Sequence, residues 1–473
     1  MTTTTEITGL VGAGVDRVDG PAKVTGEARY PADFGFENLA YAVLVQSTIA
    51  AGRIRRIDTA AAEAAPGVLA VITHRNAPRL ARAPGGLGIG PPPPLQHDRI
   101  VHHGQHIAMV VARTLEQATA AARLIQIEYE ETEPLLDIDD PRAKQVENAA
   151  GRDVSRGDVE AGLAAAEVVV AATYTTPNQT NNPLGLFATT AYWDGDLLTV
   201  HDSTQGTAFA RASLAATFGI GESGVRVLAG PGTYTVMTQV AADVLGLPLE
   251  RVRLELGDSA MPRAPLQGGS GLTAALGSAV HAACNELVRS FTELAGSPPA
   301  ADTYTGMLAR HRLTELSADG ASARRTDLDA EPGIFAAKFA EVRVDPDLAE
   351  VRVTRFVAAV DGGRILNEKT AASQIIGGTA GGIGMALLEQ TLSDPGTGRI
   401  ANATFGDYLV AVNADVPHID VIFTGEPDPI NPVGVKGIGE VAIVGVAPAI
   451  ANAVFHATGR RPRALPITAE QLL

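Results

Sequence analysis

A glycine-rich stretch near the C-terminus, Asn431–Glu440, constrains the fold of this chain more than any other feature. Its glycines Gly434, Gly437 and Gly439 predict a loop, because glycine tolerates positive φ angles and lets the backbone approach a neighbouring group closely. The loop ends at one carboxylate, Glu440, which a short apolar run follows directly. Such a carboxylate is a candidate general base, since a base must be held within reach of the proton it accepts. An ordinary glycine turn, with Glu440 near a helix N-terminus, is the simpler interpretation of this stretch taken alone.

Two further glycine-rich stretches precede this loop in the chain. Residues 267–280 combine glycines with Ser270 and Thr273 ahead of a helical pattern, so they predict a loop that opens a helix. Backbone N–H groups and hydroxyls at a helix start suit a phosphate or another anion. Residues 377–387 follow Gln374 and are rich in small side chains. This composition indicates either tight helix packing or room for a large ligand.

Composition limits the classes of partner and cofactor. The chain has 473 residues, of which 45% are hydrophobic and 19% charged, as is typical of a globular protein of roughly two to four domains. A formal net charge of -16 and an aromatic content of 4% argue against nucleic acid and anionic membranes as partners. The single cysteine, Cys284, excludes internal disulfides, an all-cysteine iron–sulfur cluster and a cysteine-based zinc site. Any redox chemistry therefore requires a bound cofactor or a partner chain.

The N-terminus and the hydropathy pattern lead us to expect a cytoplasmic protein. Residues 1–6 contain no basic region, apolar core or twin arginine, so they predict a frayed tail rather than a targeting signal. No run of about 18 consecutive apolar residues is present, which predicts that the chain does not span a membrane.

Turn signals and changes in composition predict five segments. Residues 1–19 are the N-terminal tail, residues 20–134 a compact α+β unit, and residues 135–157 an acidic, polar linker. Residues 158–230 and 231–473 follow as two further segments.

Hydrophobic periodicity predicts the secondary structure within these segments. It predicts a buried strand at 39–45, a strand at 252–256, a pair of long strands at 335–344 and 350–360, and a last helix at 447–456. Residues 193–196 separate strand-like runs at 187–192 and 197–200, which predicts a hairpin.

Four histidines, His97, His102, His103 and His106, cluster where a predicted loop meets a strand. Because no carboxylate stands at ligand spacing from them, exposed polar positions are favoured over a metal site.

Taken in order, these blocks resemble the molybdenum-binding large subunit of the xanthine dehydrogenase/aldehyde oxidase family. Residues 17–33, Arg-Val-Asp-Gly-Pro-Ala-Lys-Val-Thr-Gly-Glu-Ala-Arg-Tyr-Pro-Ala-Asp, look like its N-terminal signature, and residues 20–134 look like its a/b hammerhead domain. The resemblance implies an α+β fold in which molybdopterin-binding domains follow the hammerhead domain. Residues 158–230 would begin the first of these domains, and residues 231–473 would form the second together with the C-terminal catalytic loop.

The resemblance also implies the residues of the site. Lys436-Gly-Ile-Gly-Glu440 matches the motif whose glutamate is the catalytic base, and no residue is expected to bind the metal directly. The implied cofactor-binding residues are Gly268, Gly269, Ser270, Thr273, Gly277, Gln374, Lys436, Gly437 and Gly439.

Family membership would define the reaction class and the partners. Members hydroxylate an N-heterocycle or oxidise an aldehyde, with water as the oxygen source. The molybdenum–pterin cofactor is expected here in its cytosine dinucleotide form. Electrons then pass to iron–sulfur clusters and FAD. Because this chain has one cysteine, those centres are expected on a separate iron–sulfur subunit and a separate FAD-binding subunit.

Three departures from the family pattern keep other interpretations open. A block of roughly two hundred or more residues is absent after about residue 229, judged against the size of an ordinary domain. Asn182–Phe187 stands where many members carry a Met-Glu-Pro-His-like segment, and Gly381 stands where glutamine is expected. The absent block is either a deletion or part of a separate polypeptide. The alternatives to an enzyme are a cofactor-less, non-catalytic paralogue or assembly subunit, and a small-molecule binding protein without redox chemistry.

Overall fold

The computed structural model describes most of the chain. The described residues are 9–85, 88–89, 92–145, 155–183, 185, 187–229, 233–299, 303–325, 327–328 and 333–473. The tail predicted at residues 1–6 lies outside them, as do residues 146–154 of the predicted linker and residues 230–232 at the predicted deletion.

Residues 20–131 form a mixed α+β unit with small apolar cores. Its helices are α1 (Gly20–Thr25), α2 (Ala60–Glu63) and α3 (Leu115–Ala122). Its strands are β1 (Tyr41–Gln46), β2 (Gly52–Asp58), β3 (Val68–Thr73), β4 (Pro84–Gly85), β5 (Gly88–Ile89), β6 (Arg99–Ile100), β7 (His106–Ala112) and β8 (Gln126–Glu131). Antiparallel sheets with the strand orders β1-β7-β3 and β6-β2-β8 enclose cores around Val110 and Ile107.

Strand β1 corrects one prediction, since it was expected to be buried. It lies at the edge of its sheet, where Tyr41 is 39% exposed and Leu44 is 49% exposed. The apolar run predicts a strand but not its position. Because β7 occupies the centre of the sheet, β1 has a neighbouring strand on one side only.

The segment from residue 155 to residue 229 contains a second small sheet. Its elements are α4 (Val159–Ala165), β9 (Thr189–Asp194), β10 (Leu197–Asp202), α5 (Thr207–Phe218) and β11 (Val225–Leu228). The predicted hairpin is confirmed: β9 and β10 pair antiparallel, and Gly195 takes the positive φ of +58° that the tight turn requires. Strand β11 joins β10 in parallel.

The largest core lies among the remaining elements. They are α6 (Tyr234–Leu245), α7 (Leu272–Ala295), α8 (Tyr304–Arg310), β12 (Ala336–Val344), β13 (Val351–Asp361), α9 (Glu368–Leu387), β14 (His418–Thr424), α10 (Ile438–Val441) and α11 (Val446–Thr458). The sheet has the order β12-β13-β14, and α9 and α11 pack on it around Phe356, Ile375 and Ile450. Short 3-10 turns occur at Pro31–Asp33, Glu222–Gly224, Leu249–Arg251 and Ala469–Gln471.

The strand predicted at Val252–Leu256 is wrong. These residues are not assigned to any strand, and within the described part of the chain no strand pairs with them. Alternating side chains favour an extended backbone, but a strand also requires a partner, which the pattern does not reveal.

The N-terminal segment 9–18 packs against the C-terminal half of the chain. The buried side chain of Gln239 on α6 donates to the carbonyl of Leu10 at 2.9 Å. Asn367 donates to the side-chain oxygen of Gln239 at 2.7 Å and to the carbonyl of Val15 at 2.9 Å. Asn367 also caps α9 by accepting from the N–H of Thr370. This buried network therefore fixes the start of α9, the helix that carries Gln374.

One helical stretch in the described residues, Ile438–Thr458, is long and apolar enough to cross a membrane. It comprises α10 and α11, and its residues Val446, Ile450 and Val454 lie in the largest core. Because Glu440 and Asn452 interrupt this stretch, it is not a continuous apolar run, and the sequence pattern did not predict it.

Candidate active site

The loop that opens α7 and the loop that ends at Glu440 meet directly. The hydroxyl of Ser270 donates to Oε2 of Glu440 at 2.9 Å and accepts from the backbone N–H of Glu440 at 2.9 Å. A Cβ at Gly437 would lie 2.7 Å from the carbonyl oxygen of Ser270, and one at Gly439 would lie 3.0 Å from its hydroxyl oxygen. These two glycines therefore allow the loops to touch.

The backbone of the first loop has an unusual geometry that directs Ser270 at Glu440. Gly269 has a φ of +59° and Ser270 a φ of +56°, which is uncommon for a residue other than glycine. Backbone conformations of this kind cost about 1–3 kcal/mol and tend to occur at functional sites. Helix α7 begins just beyond, with Gly271 in the capping position, so its first N–H groups also face this region.

Contacts from other elements hold the Glu440 loop. Gln374 on α9 donates its amide to the carbonyl of Gly439 at 2.8 Å. The Lys436 ammonium forms an ion pair with Asp361, and the backbone N–H of Lys436 donates to the carbonyl of Gly362 at 3.0 Å. Both the amide and the ammonium that were predicted to bind cofactor thus contact protein groups in this structure.

A cavity of about 620 Å³ lies between these elements. Eight of the predicted site residues line it, namely Gly268, Gly269, Ser270, Thr273, Gln374, Lys436, Gly439 and Glu440. Gly437 lines an adjoining cavity of about 610 Å³, which Ser270 and Glu440 also border. Gly277 lies inside α7, where a Cβ would be 3.6 Å from Val433 and 3.7 Å from Met237. Gly277 therefore lies against the core beneath the site, where a Cβ would make ordinary contacts.

Several lining residues were not predicted as site residues. Thr233, Gln205, Arg364 and Asn367 border the larger cavity. The Thr233 hydroxyl is buried and has no hydrogen-bond partner among the described residues. Thr233 lies just after residue 229, where the sequence departs from the family pattern. That departure is the one sequence signal that points to Thr233. Arg364 follows the glycine pair Gly362-Gly363. This pair is shorter than the three glycine-rich stretches, so it gives a weaker sequence signal.

The charges around the cavity are mixed. Arg364 and Lys436 contribute positive charge, while Asp361 and Glu440 contribute negative charge. Burial lowers the pKa of the half-buried Lys338, whose ammonium donates to the carbonyl of Ala442 just after Glu440. Within the described ranges, no group of three or more His, Cys, Asp or Glu side chains is arranged to hold a metal ion.

The lining fits a polar organic cofactor that carries a phosphate. A cavity of this volume accommodates a small organic molecule. The unpaired hydroxyl of Thr233 offers a free hydrogen-bonding group, and the side chains of Gln205, Gln267 and Gln374 add amides. The N–H groups of the glycine loop at the start of α7 suit an anion.

Family models match three consecutive parts of the chain. Residues 25–133 match the "aldehyde oxidase and xanthine dehydrogenase, a/b hammerhead domain". Residues 141–231 and 223–417 match two models of a "molybdopterin cofactor-binding domain". The fold and the site thus define a molybdopterin-binding protein, and these domains indicate a molybdenum cofactor.

Individual relatives and solved structures agree with these models. The aldehyde oxidoreductase molybdenum-binding subunit PaoC of Escherichia coli (strain K12) is 26% identical, with 98% of this chain and 97% of PaoC aligned. The nicotinate dehydrogenase large molybdopterin subunit of Eubacterium barkeri is 32% identical over 46% of this chain and 53% of its own length. Quinoline 2-oxidoreductase from Pseudomonas putida 86 superposes with a TM-score of 0.84 at 16% identity and 98% coverage of both chains.

The chain belongs to the xanthine dehydrogenase/aldehyde oxidase family, as one of its molybdenum-binding large subunits. Members of this family are molybdenum-dependent oxidoreductases. The predicted fold is confirmed: a hammerhead domain is followed by molybdopterin-binding domains.

The predicted internal deletion is confirmed as well. The alignment with PaoC runs over 717 positions, whereas this chain has 473 residues, so at least 244 positions (717 less 473) face a gap. Because 98% of the chain and 97% of PaoC lie within one alignment, the gap is internal. The two molybdopterin-domain models meet at residues 223–231, next to the predicted position.

Proposed function

We propose that this chain is a molybdenum hydroxylase large subunit that oxidises an aldehyde or hydroxylates an N-heterocycle, with water as the oxygen source. The observation that carries the proposal is the clamp between Ser270 and Glu440 at the wall of the 620 Å³ cavity. It holds a carboxylate at a site whose lining fits the molybdenum–pterin cofactor. When bound, that cofactor supplies the two-electron redox chemistry.

Glu440 acts as the general base in this proposal. Incorporating the oxygen of water into a substrate releases protons, and a positioned carboxylate accepts one of them. Oε2 of Glu440 accepts the Ser270 hydroxyl, so Oε1 is the less engaged oxygen and the one we propose takes that proton. Gln374 fixes the backbone of the same loop through Gly439. The chain thus supplies both the proton acceptor and its orientation.

The glycine loop and α7 hold the cofactor, which we propose is in the cytosine dinucleotide form. Gly268, Gly269, Thr273 and the N–H groups at the start of α7 face the cavity and suit its phosphates. Thr233 and Gln205 provide further hydrogen-bonding groups.

Electron transfer requires partner chains, because one cysteine cannot hold an iron–sulfur cluster. We propose an iron–sulfur subunit and an FAD-binding subunit as those partners. Some relatives carry subunit names, such as the 6-hydroxypseudooxynicotine dehydrogenase complex subunit gamma of Paenarthrobacter nicotinovorans, and this supports a multi-subunit arrangement.

A Glu440→Gln variant tests the proposed base. The amide keeps the shape of the carboxylate but accepts a proton poorly, so turnover should fall by about 10²–10⁴-fold. Molybdenum and pterin contents should stay near wild type, because the glycine loops are unchanged. The readouts are kcat in the assembled complex and metal analysis of the same preparation. Near-normal kcat would exclude Glu440 as the base, and loss of fold or cofactor would assign it a structural role.

A non-catalytic paralogue or assembly subunit is the second candidate function. The observation that favours it is the gap of at least 244 positions inside the cofactor-binding half. Metal analysis of the native complex separates the two candidates. Molybdenum with pterin at near one equivalent supports the enzyme, and their absence from the complex supports the assembly subunit.

A further inference from the structure

Residues 155–176, within the match to the first molybdopterin-binding domain, form a segment that is solvent-exposed throughout. Every residue from 155 to 176 is exposed, including the apolar run Val168–Val170. Val168 is 80% exposed, Val170 is 77% exposed and Tyr174 is 66% exposed. Single exposed apolar residues are ordinary on protein surfaces, whereas a contiguous apolar run marks a surface that another element covers.

The backbone of this segment also lacks partners. Within the described residues, the N–H and C=O groups of 167–174 make no hydrogen bond, and the first bonded residue beyond them is Thr175. The N–H of Thr175 donates to the carbonyl of Arg463, and its carbonyl accepts from the N–H of Leu465. The segment is thus held at its C-terminal end and begins just after α4.

The sequence of this segment favours a paired strand. Val, Thr and Tyr are enriched in strands, and Glu167-Val-Val-Val-Ala-Ala-Thr-Tyr174 consists largely of such residues together with alanine. An extended apolar segment with free N–H and C=O groups is a template for a further strand, through backbone hydrogen bonds and side-chain contacts. The eight residues span about 26 Å at roughly 3.3 Å per residue.

The internal gap identifies what is missing from this surface. The segment lies inside the family match at 141–231, the domain that ends at the gap. PaoC has at least 244 aligned positions that face a gap in this chain, and the two molybdopterin-domain models meet at residues 223–231. The exposed segment therefore lies in the domain whose match ends beside the predicted deletion.

We propose that residues 167–174 dock a separate polypeptide that carries the absent molybdopterin-binding block. This partner adds a strand to 167–174 and covers the apolar side chains of Val168 and Val170. A second copy of this chain would not serve, since it lacks the same block. The inference goes beyond the proposed reaction and depends on family membership, not on turnover.

The candidate active site is open to solvent in this chain. Glu440 is exposed, and the cavity beside it is bordered by Val444, which is 64% exposed. Excluding water strengthens electrostatic interactions within a catalytic site and protects its intermediates.

Site-specific photo-cross-linking tests this inference. The photoreactive residue p-benzoylphenylalanine is placed at Val168 in the full chain, expressed in its native host, and cross-linked partners are identified by mass spectrometry. Val24 on α1 is the matched control, because it is a valine with 86% exposure in the N-terminal unit. We expect a cross-link from Val168 to a polypeptide containing a molybdopterin-binding block, and no such product from Val24.

Three outcomes overturn the proposal: no cross-link at Val168, a cross-link only to another copy of this chain, or a cross-link only to a protein without that block. A V168D/V170D double variant gives an independent readout. Two buried carboxylates should reduce co-purification of the partner by at least about tenfold, which corresponds to 1.4 kcal/mol. The V24D variant should leave it unchanged. If the chain binds the partner but the complex contains no molybdenum, that result contradicts the proposed reaction and still supports the docking surface.

Discussion

Two regions of the cofactor-binding half differ in whether their strand-forming segments are paired and buried. In the sheet β12-β13-β14, helices α9 and α11 cover one face, and Phe356 at its centre is fully buried. In residues 155–187, the chain leaves an apolar extended segment in solvent, and Phe187 is 79% exposed. Both regions have strand-forming sequences, yet only the first pairs with other segments among the residues that the structure describes. The contrast shows that strand propensity alone does not stabilise a strand.

The largest expected effect comes from truncating a phenylalanine in the closed region. Phe356→Ala should lower the free energy of unfolding by about 3–5 kcal/mol, because it leaves a cavity in a core that is sealed from water. Urea denaturation followed by circular dichroism measures this change.

The matched change in the open region should have almost no effect on the isolated chain. Phe187→Ala should alter the free energy of unfolding by less than about 0.5 kcal/mol, because that side chain is mostly in solvent. Equal losses from the two substitutions would mean that residues 155–187 pack against the protein in solution, and the comparison would fail.

An intermediate effect is expected where the two site loops touch. Gly437→Ala places a Cβ 2.7 Å from the carbonyl oxygen of Ser270, so the loops must separate. Overpacking of this kind costs about 1–3 kcal/mol, and cofactor content should fall because the Ser270–Glu440 contact is lost. Denaturation and metal analysis measure the two effects.

Gly268→Ala is the control for this substitution. Its Cβ would lie 3.5 Å from the Leu266 side chain, which is ordinary contact, so stability should change little. If Gly437→Ala matches Gly268→Ala in the free energy of unfolding, the loops are not in close contact.

The smallest effect concerns pH and the ion pairs of Asp19 at the start of α1. Burial alone would raise the pKa of Asp19, but hydrogen bonds from Arg17 and Lys23 outweigh it and lower this pKa from 3.8 to about 2. A lowered pKa contributes stability that is complete above pH 3.8 and is lost as the pH falls through about 2. The contribution should be at most about 1 kcal/mol, since the ion pairs are reached by water.

Unfolding curves between pH 5 and pH 2 check this prediction. Wild type should be more stable than Asp19→Asn at the upper end of that range, and the difference should shrink towards pH 2. A difference that stays constant across the range would show that ionisation of Asp19 does not stabilise the fold.

The sequence predicted much of the fold because local periodicity reports local structure. The hairpin at residues 193–196, the helix after the loop at 267–271 and the long strands β12 and β13 all formed as expected. The apolar run in β1 correctly predicted a strand but wrongly predicted that the strand is buried. The pattern at 252–256 predicted a strand that does not form. Both errors concern pairing, which depends on segments distant in the sequence.

The sequence by itself determined the family, the candidate base at Glu440 and the internal gap, because motifs and length are properties of the chain alone. Only the tertiary structure decided that Ser270 clamps Glu440, since the two residues are 170 positions apart and meet through contacts among α7, α9 and the C-terminal loop. It also decided that Gly277 supports the core while Thr233 faces the cavity. The sequence shows that one residue is a glycine and that the other carries a hydroxyl, but not what surrounds them. The packing of the chain determines which neighbours each residue contacts.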